Sequence, residues 1–367
     1  MRLEKVLKEM QKRQLTHLII NDPSSIDYLI NYKNNPGERM YLLLLSSDGH
    51  HKLFMNNLFY LDHELDIEQV WYSDTDNYLQ LLADEFDGAC SIGIDKNFPA
   101  RFLIPLMNLV DECHFELGSE CVDRVRMIKD EKEQQLMIEA SKINDLVVDE
   151  VINICAKGNL TEEEVSKQLE GIYQKHGCVG NSFEPIVAYG KNGADNHHSG
   201  DDSRLKAGDS IVIDIGGLYK GYCSDMTRTV FYKEVSPKQK TGGIREDEMK
   251  VYEIVKKANE AAEAMIKPGV RLCDIDKCAR DIIAEGGYTV EFNHRLGHFI
   301  GRDVHEWCDV SQNFDLEVQE GMTFSIEPGV YLQGEFGVRI EDLVLVTKDG
   351  CKVLNSYPKD LRIIGND

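Results

Sequence analysis

S-I-V-I-D-I-G-G-L-Y-K-G-Y-C-S-D-M-T-R-T-V-F-Y, running from Ser210 to Tyr232, is the stretch whose reading decides the fold of this chain. Both flanks are rich in β-branched and aromatic residues and a short turn sequence separates them, so the stretch predicts a hairpin. Each flank carries one aspartate, Asp214 and Asp225. If the chain reverses at Tyr219-Lys220, the two face each other directly, with Cβ atoms about 5 Å apart. Aspartate is depleted from strand interiors, and two ionised carboxylates so placed repel. Something positive is required between them.

A second hairpin repeats the pattern. In E-P-G-V-Y-L-Q-G-E-F-G-V-R-I-E, Glu327 and Glu341 are equally distant from Gly334, and a turn centred there brings them face to face. Either pair alone could belong to a solvated strand face; two together argue for one shared site. Histidines supply a softer donor. His294, His298 and His305 fall within H-R-L-G-H-F-I-G-R-D-V-H-E, and His197 and His198 follow Gly193-Ala194-Asp195-Asn196. Glycines beside them permit close backbone approach. Four carboxylates and an imidazole suit two divalent ions, and so oxygen-rich a set favours manganese-like metals over thiolate-loving ones. Two such ions about 4 Å apart can activate a shared water near neutral pH, which points to hydrolysis.

Working outward, 367 residues exceed one ordinary core and predict two domains. Before residue 121 helical and strand patterns alternate: Leu3 to Arg13, His17 to Ile20, Tyr41 to Leu45 and Lys52 to Phe54. A charged run without Gly or Pro follows, Arg124 to Glu139, and the boundary is set near Cys121, giving domains 1–121 and 122–367. Helices are then predicted over Asn144 to Ala156, over Val165 to His176 after a start signal at Thr161-Glu162-Glu163-Glu164, over Asp247 to Ile266 and over Cys273 to Ala284. Ser236 to Arg245 reads as a flexible loop. The order helices, strands, helices, strands beyond residue 122 fits two similar halves facing each other.

Composition excludes several functions. The net charge of −23, from 64 acidic and 41 basic residues, opposes binding to nucleic acid or to anionic membranes. No apolar run approaches the ~18 residues of a membrane span, and no leader pattern opens the chain. Ten scattered cysteines without a C-x-x-C pair suit reduced thiols, so a cytoplasmic location is expected.

With these residues in view, the chain resembles the pita-bread metallopeptidases, in the branch of Xaa-Pro aminopeptidases and Xaa-Pro dipeptidases (prolidases) that carry a creatinase-like N-terminal domain. The resemblance spans essentially the whole chain and rests on four motifs in the family's order. They are D-I-G-G-x6-S-D-M-T-R-T from Asp214, H-R-L-G-H-F-I-G-x3-H-E from His294, S-I-E-P-G-V-Y from Ser325 and G-V-R-I-E-D from Gly337. It implies an α+β fold: a pita-bread catalytic domain with pseudo-twofold halves, preceded by a smaller α/β domain.

The resemblance also implies that Asp214, Asp225, His298, Glu327 and Glu341 bind two divalent ions per chain, with Asp225 and Glu341 bridging; manganese is expected, with cobalt, iron or zinc as alternatives. His197 and His305 would touch the substrate and the developing tetrahedral intermediate, Glu327 would carry protons, and His294 would line the proline side. Arg339 would either order the site or form a structural ion pair. The implied reaction is hydrolysis of the bond between an N-terminal residue and a following proline, in peptides or dipeptides. Such an amide has no hydrogen for a protease to hold and can be cis or trans, so it needs a dedicated site. D-P-S-S-I-D-Y-L-I-N-Y from Asp22 looks like the segment that shapes the family's cleft, sometimes in a partner subunit, and a homodimer is expected.

Departures from the family pattern are Phe299, where glycine is frequent, and Asn196, where proline often precedes the active-site histidine; both bear on pocket shape. Competing readings are methionine aminopeptidase, which usually lacks so long an N-terminal domain, creatine hydrolysis, which is carried out without this carboxylate set, and a non-catalytic peptide-binding scaffold.

Overall fold

The computed structural model describes residues 2–61, 63–233 and 244–365, in two units, Met1–Arg126 and Met127–Asp367. Residues 236–243, most of the predicted flexible loop, lie outside the described residues. In the first unit an amphipathic helix α1 (Arg2–Lys12) precedes β1 (His17–Ile20), α2 (Pro23–Ile30), β2 (Leu42–Ser46), β3 (Lys52–Asn56) and β4 (Glu68–Tyr72). There follow α3 (Tyr78–Ala83), β5 (Ser91–Ile94), α4 (Ala100–Leu109), β6 (His114–Leu117) and α5 (Glu120–Arg126). The strands form one mixed sheet in the order β4-β3-β2-β1-β5-β6, with the central β1 and β2 almost wholly buried. Helix α2 starts behind Asp22, whose carboxylate caps the Ser25 N–H at 2.8 Å, with Pro23 in the first turn.

The second unit is built as two similar halves. Helices α6 (Glu131–Cys155) and α7 (Glu162–Lys175) lead into β7 (Ile186–Tyr189), β8 (Ser210–Ile215), the short β9 (Leu218–Tyr219) and β10 (Tyr222–Cys223), and β11 (Met226–Tyr232). Helices α8 (Glu246–Met265) and α9 (Leu272–Glu285) then lead into β12 (Gly297–Phe299), β13 (Glu306–Val310), β14 (Thr323–Ile326), β15 (Gly329–Leu332), β16 (Phe336–Arg339), β17 (Asp342–Val346), β18 (Cys351–Val353) and β19 (Ile363–Ile364). The first sheet runs β19-β11-β8-β7 and the second β13-β12-β14-β17-β18. Each sheet has its own apolar core. Val148, Ile152 and Leu169 of the first helix pair pack on Val187, Ile213 and Val230, and Val255, Ala262 and Ile275 of the second pair pack on Phe299, Phe324 and Val344.

The predicted helix Asn144 to Ala156 and most of the charged run before it form one element. Asn144 to Ala156 is the second half of α6, which begins at Glu131 behind a capping box formed by Asp130 and Glu133. The Thr161 start signal holds as predicted, its hydroxyl and Glu164 closing a second capping box.

One predicted register needs correction. The turn between β9 and β10 is centred on Lys220 and Gly221, not on Tyr219 and Lys220. Both turn residues have positive φ, 47° and 82°, which a two-residue hairpin turn of this hand requires and Gly221 readily adopts. Tyr222 therefore pairs with Tyr219, and Thr227 rather than Asp225 sits opposite Asp214. The slip is two positions, so side-chain parity survives and both aspartates keep the same face. The second hairpin has the predicted register: Val330 pairs with Val338 and Tyr331 with Gly337 about Gly334, and the same register continues between β14 and β17.

Candidate metal centre

Asp214 projects from β8 and Asp225 from the residue just before β11, on neighbouring diagonals of the first sheet. Glu327 and Glu341 flank the β15–β16 hairpin where it joins β14 and β17, and His298 stands in the middle of β12. The two sheets thus contribute from opposite sides to one place. The His298 Nε2 lies 3.5 Å from an Asp225 carboxylate oxygen and 3.6 Å from a Glu327 oxygen. One donor atom each from Asp225, His298 and Glu341 lies within 4.8 Å of the other two.

Neighbouring groups orient these side chains. The His298 Nδ1 is 3.2 Å from the Phe299 carbonyl, which can only accept, so the proton sits on Nδ1 and Nε2 turns its lone pair toward the carboxylates. Its backbone N–H donates to the Ser325 hydroxyl at 3.0 Å, and that hydroxyl donates to Glu327 at 3.3 Å. Thr227 donates to Glu341 at 2.7 Å and accepts from the Arg339 Nε at 3.0 Å. Arg339 also binds Asp214 at 2.7 Å and donates to the Tyr331 hydroxyl at 2.9 Å. That hydroxyl is 3.0 Å from the His294 Nε2, while the His294 Nδ1 donates to the Arg295 carbonyl at 2.7 Å. Burial and then the Arg339 guanidinium push the His294 pKa down to about 3, so the ring is neutral at pH 7 and accepts the Tyr331 proton.

All the residues singled out from the sequence, His197, Asp214, Asp225, His294, His298, His305, Glu327, Arg339 and Glu341, line one cavity of about 880 Å³. His305 is exposed on its wall and packs edge-on against the His298 ring, with centroids 4.4 Å apart. His197 is likewise exposed, two residues past Asp195, whose carboxylate accepts its backbone N–H at 3.1 Å.

The donor set fits divalent cations on the structure's own terms. Asp214 Oδ1, Asp225 Oδ1 and Glu341 Oε1 are buried without any hydrogen-bond partner, a costly arrangement for carboxylates. Burial and the proximity of Asp214 raise the Asp225 pKa well above the ordinary value, and burial and Asp225 do the same to Glu341. Burial raises Glu327 to about 7. Orphaned oxygens beside a free imidazole lone pair are the environment that cations of this class satisfy.

Residues 135–348, more than half of the chain, match metallopeptidase family M24. The chain belongs to metallopeptidase family M24. Residues 2–128 of this M24 chain match the creatinase/prolidase N-terminal domain. It is 43% identical over 250 residues, 68% of its length and 66% of the other's, to a Bacillus subtilis (strain 168) protein named "Putative dipeptidase YkvY". Among solved structures, a prolidase from Thermococcus sibiricus superposes with a TM-score of 0.91 at 32% identity, covering 99% of this chain and 98% of that one. A dipeptidase from Pyrococcus horikoshii OT3 gives 0.88 at 32% identity, covering 99% and 100%. The expected two-part fold, creatinase-like domain followed by pita-bread domain, is the fold of this M24 enzyme.

The sequence reading passed over Thr227, Tyr331 and Ser325. A signal for each was present: Thr227 is two residues from Asp225 and Ser325 two from Glu327, so each shares a strand face with its carboxylate, and Tyr331 faces Gly337 across the hairpin that Glu327 and Glu341 flank. His198, also on the cavity wall, was quoted beside His197 and given no role. All ten cysteines are free thiols, and among the described residues no helix is long and apolar enough to cross a membrane.

Proposed function

We propose that this M24 metallopeptidase hydrolyses the bond between an N-terminal residue and a following proline, with Asp214, Asp225, His298, Glu327 and Glu341 holding two divalent ions. The observation that carries this reading is the convergence of four carboxylates on one oriented imidazole, with three buried carboxylate oxygens left without partners. Bound there, the ions would polarise the scissile carbonyl and lower the pKa of a water. The rest is the work of this chain's side chains. Glu327 accepts a proton from the attacking water at a carboxylate oxygen and returns it to the proline nitrogen, which carries no hydrogen of its own and cannot leave unprotonated. Ser325 holds Glu327 in place for this transfer.

His197 and His305 reach the oxygen that gains negative charge as the carbonyl becomes tetrahedral. His294, fixed by the chain of bonds through Tyr331 to Arg339, presents a neutral ring to the proline side. Manganese as the working metal, a homodimer and a cytoplasmic location belong to the same proposal. The names of its relatives, dipeptidase and prolidase, support the dipeptide form of this reading over the longer-peptide form.

The test is turnover of Ala-Pro, Ala-Pro-Gly and Ala-Ala by purified protein loaded with manganese, cobalt, iron or zinc, alongside metal analysis. Cleavage confined to the proline peptides is expected, strongest for the dipeptide. No turnover of either proline peptide by protein holding two ions per chain overturns the proposal. Release of methionine from Met-Ala would redirect it to methionine aminopeptidase, and fewer than one ion per chain would redirect it to a scaffold.

A further inference from the structure

Glu162 is fully buried, yet it belongs neither to the metal centre nor to its own helix cap. Although it opens α7, the capping box there is closed by Thr161 and Glu164, leaving the Glu162 carboxylate free to turn the other way. It turns toward the segment that carries the cavity histidines. One oxygen accepts the Tyr189 backbone N–H at 2.6 Å and the Asn192 amide at 3.0 Å. The other accepts the His198 Nε2–H at 2.6 Å and the Asp201 backbone N–H at 3.1 Å. Gly200 lies so close that an added Cβ would stand 3.2 Å from the Glu162 backbone carbon. A single carboxylate therefore gathers both ends and the middle of residues 189–201.

His198 with Glu162 and Asp201 has donor atoms at metal-ligand spacing, but the site is not built for a cation. Glu162 already accepts four hydrogen bonds, which fills a carboxylate, and all four come from donors that a cation would have to displace. The arrangement is instead that of an imidazole aimed by a buried carboxylate. With Nε2 committed to Glu162, the polar atom left on the ring is Nδ1, for which the described residues offer no hydrogen-bond partner. The ring itself lines the cavity next to His197, with its side chain 14% exposed.

We infer that His198 is a specificity residue that pairs as an imidazolium with the Glu162 carboxylate and donates its Nδ1–H to the bound peptide, and that Glu162 is the positioning residue that holds it there. The partner on the peptide is an oxygen of the proline residue, its terminal carboxylate in a dipeptide or its carbonyl in a longer chain. The inference rests on the peptidase reading of the cavity. It adds a second function to the 189–201 segment: while His197 meets the reacting carbonyl, its neighbour grips the part of the substrate that leaves.

The experiment is a double-mutant cycle on the manganese-loaded full chain, with Ala-Pro and Ala-Pro-amide as substrates and with calorimetric binding of Ala-Pro as a readout independent of turnover. His198→Ala should raise KM and Kd for Ala-Pro by about tenfold, the worth of one hydrogen bond to a charged group, with kcat within about twofold. His198→Gln, which keeps a polar atom, should recover part of that loss. Glu162→Gln should raise KM similarly, and the double variant should be no worse than the poorer single variant, since Glu162 acts through His198.

A larger effect of His198→Ala on Ala-Pro than on its amide identifies the carboxylate as the partner, and equal effects identify the carbonyl; either supports the inference. KM and Kd unchanged in His198→Ala overturn it, as do additive losses in the double variant. If Glu162→Gln does not fold, the comparison of His198→Ala with His198→Gln decides alone, and equal losses in the two go against it. Wild-type protein that binds Ala-Pro but turns over none of the proline peptides counts against the proposed reaction, while the His198 arm is still read by calorimetry.

Discussion

Replacing Glu327 by glutamine should make the metal-free protein more stable at neutral pH while destroying its response to metal. In the absence of cations, burial raises the Glu327 pKa from the ordinary 4.5 to about 7. A carboxylate with a raised pKa in the folded state destabilises the fold as pH rises. Below pH 4.5 it is protonated folded and unfolded alike and contributes nothing. Between 4.5 and 7 the unfolded chain releases its proton first and stability falls; above 7 the full cost is present, about 3 kcal/mol. In a unit of this size that corresponds to roughly 6 to 12 °C in the unfolding midpoint.

The assay is calorimetric unfolding of chelator-treated wild type and Glu327→Gln from pH 4.5 to 8, repeated with manganese at 100 times its dissociation constant. The variant should lose Glu327's share of the pH dependence that wild type shows across pH 4.5 to 7 and keep the share of Asp225 and Glu341. Wild type should gain about 3 kcal/mol per ion from the metal, and the variant markedly less. If metal-free wild type and Glu327→Gln have the same midpoint at pH 8, these carboxylates are not crowded against one another and the argument for a cation centre is refuted.

Three further outcomes are expected. Asp225→Asn should lose bound metal and about a thousandfold in kcat, the several kcal/mol of charge stabilisation that an ion pair supplies, measured by metal analysis and Ala-Pro turnover. Tyr331→Phe removes the hydroxyl between Arg339 and His294, leaving the Arg339 Nη1 and the His294 Nε2 without that partner; kcat/KM should fall about tenfold and stability by about 1 to 3 kcal/mol, with metal content unchanged. Gly337→Ala places a Cβ 1.8 Å from the Gly193 carbonyl oxygen, backbone against backbone, so it should cost about 3 kcal/mol or more and disable the His197 segment, seen as a lower melting point and lost activity.

Much of this architecture was readable because short-range rules govern it. The Glu327–Glu341 hairpin has a glycine at its centre with φ of 79°, and symmetry about that residue was enough to pair the strands. The Asp214–Asp225 hairpin was misread by one turn position because the choice lay between Lys220 and its neighbours, and only the requirement for two positive φ values at Lys220-Gly221 resolves it. Chemistry tolerated the mistake because the slip was even. What sequence spacing could not reveal are the bonds made across the fold. Glu162 reads as one more acidic residue in a helix start, and nothing nearby tells that it faces Tyr189, Asn192, His198 and Asp201. The Arg339–Tyr331–His294 chain likewise joins β16, β15 and the segment before β12, and the choice left open for Arg339 dissolves, since it both pairs with Asp214 and braces Thr227 and Tyr331.

The proposed donors lie on or beside two sheets formed from separate stretches of the chain, Asp214 and Asp225 at the first, His298, Glu327 and Glu341 at the second. A ribosome delivers the first sheet well before the second. A nascent chain that has emerged through Asp225 holds only two of the five side chains proposed to bind the ions. On the proposed ligand set, the donors are complete only once the strand leading to Glu341 has been made and has joined the second sheet.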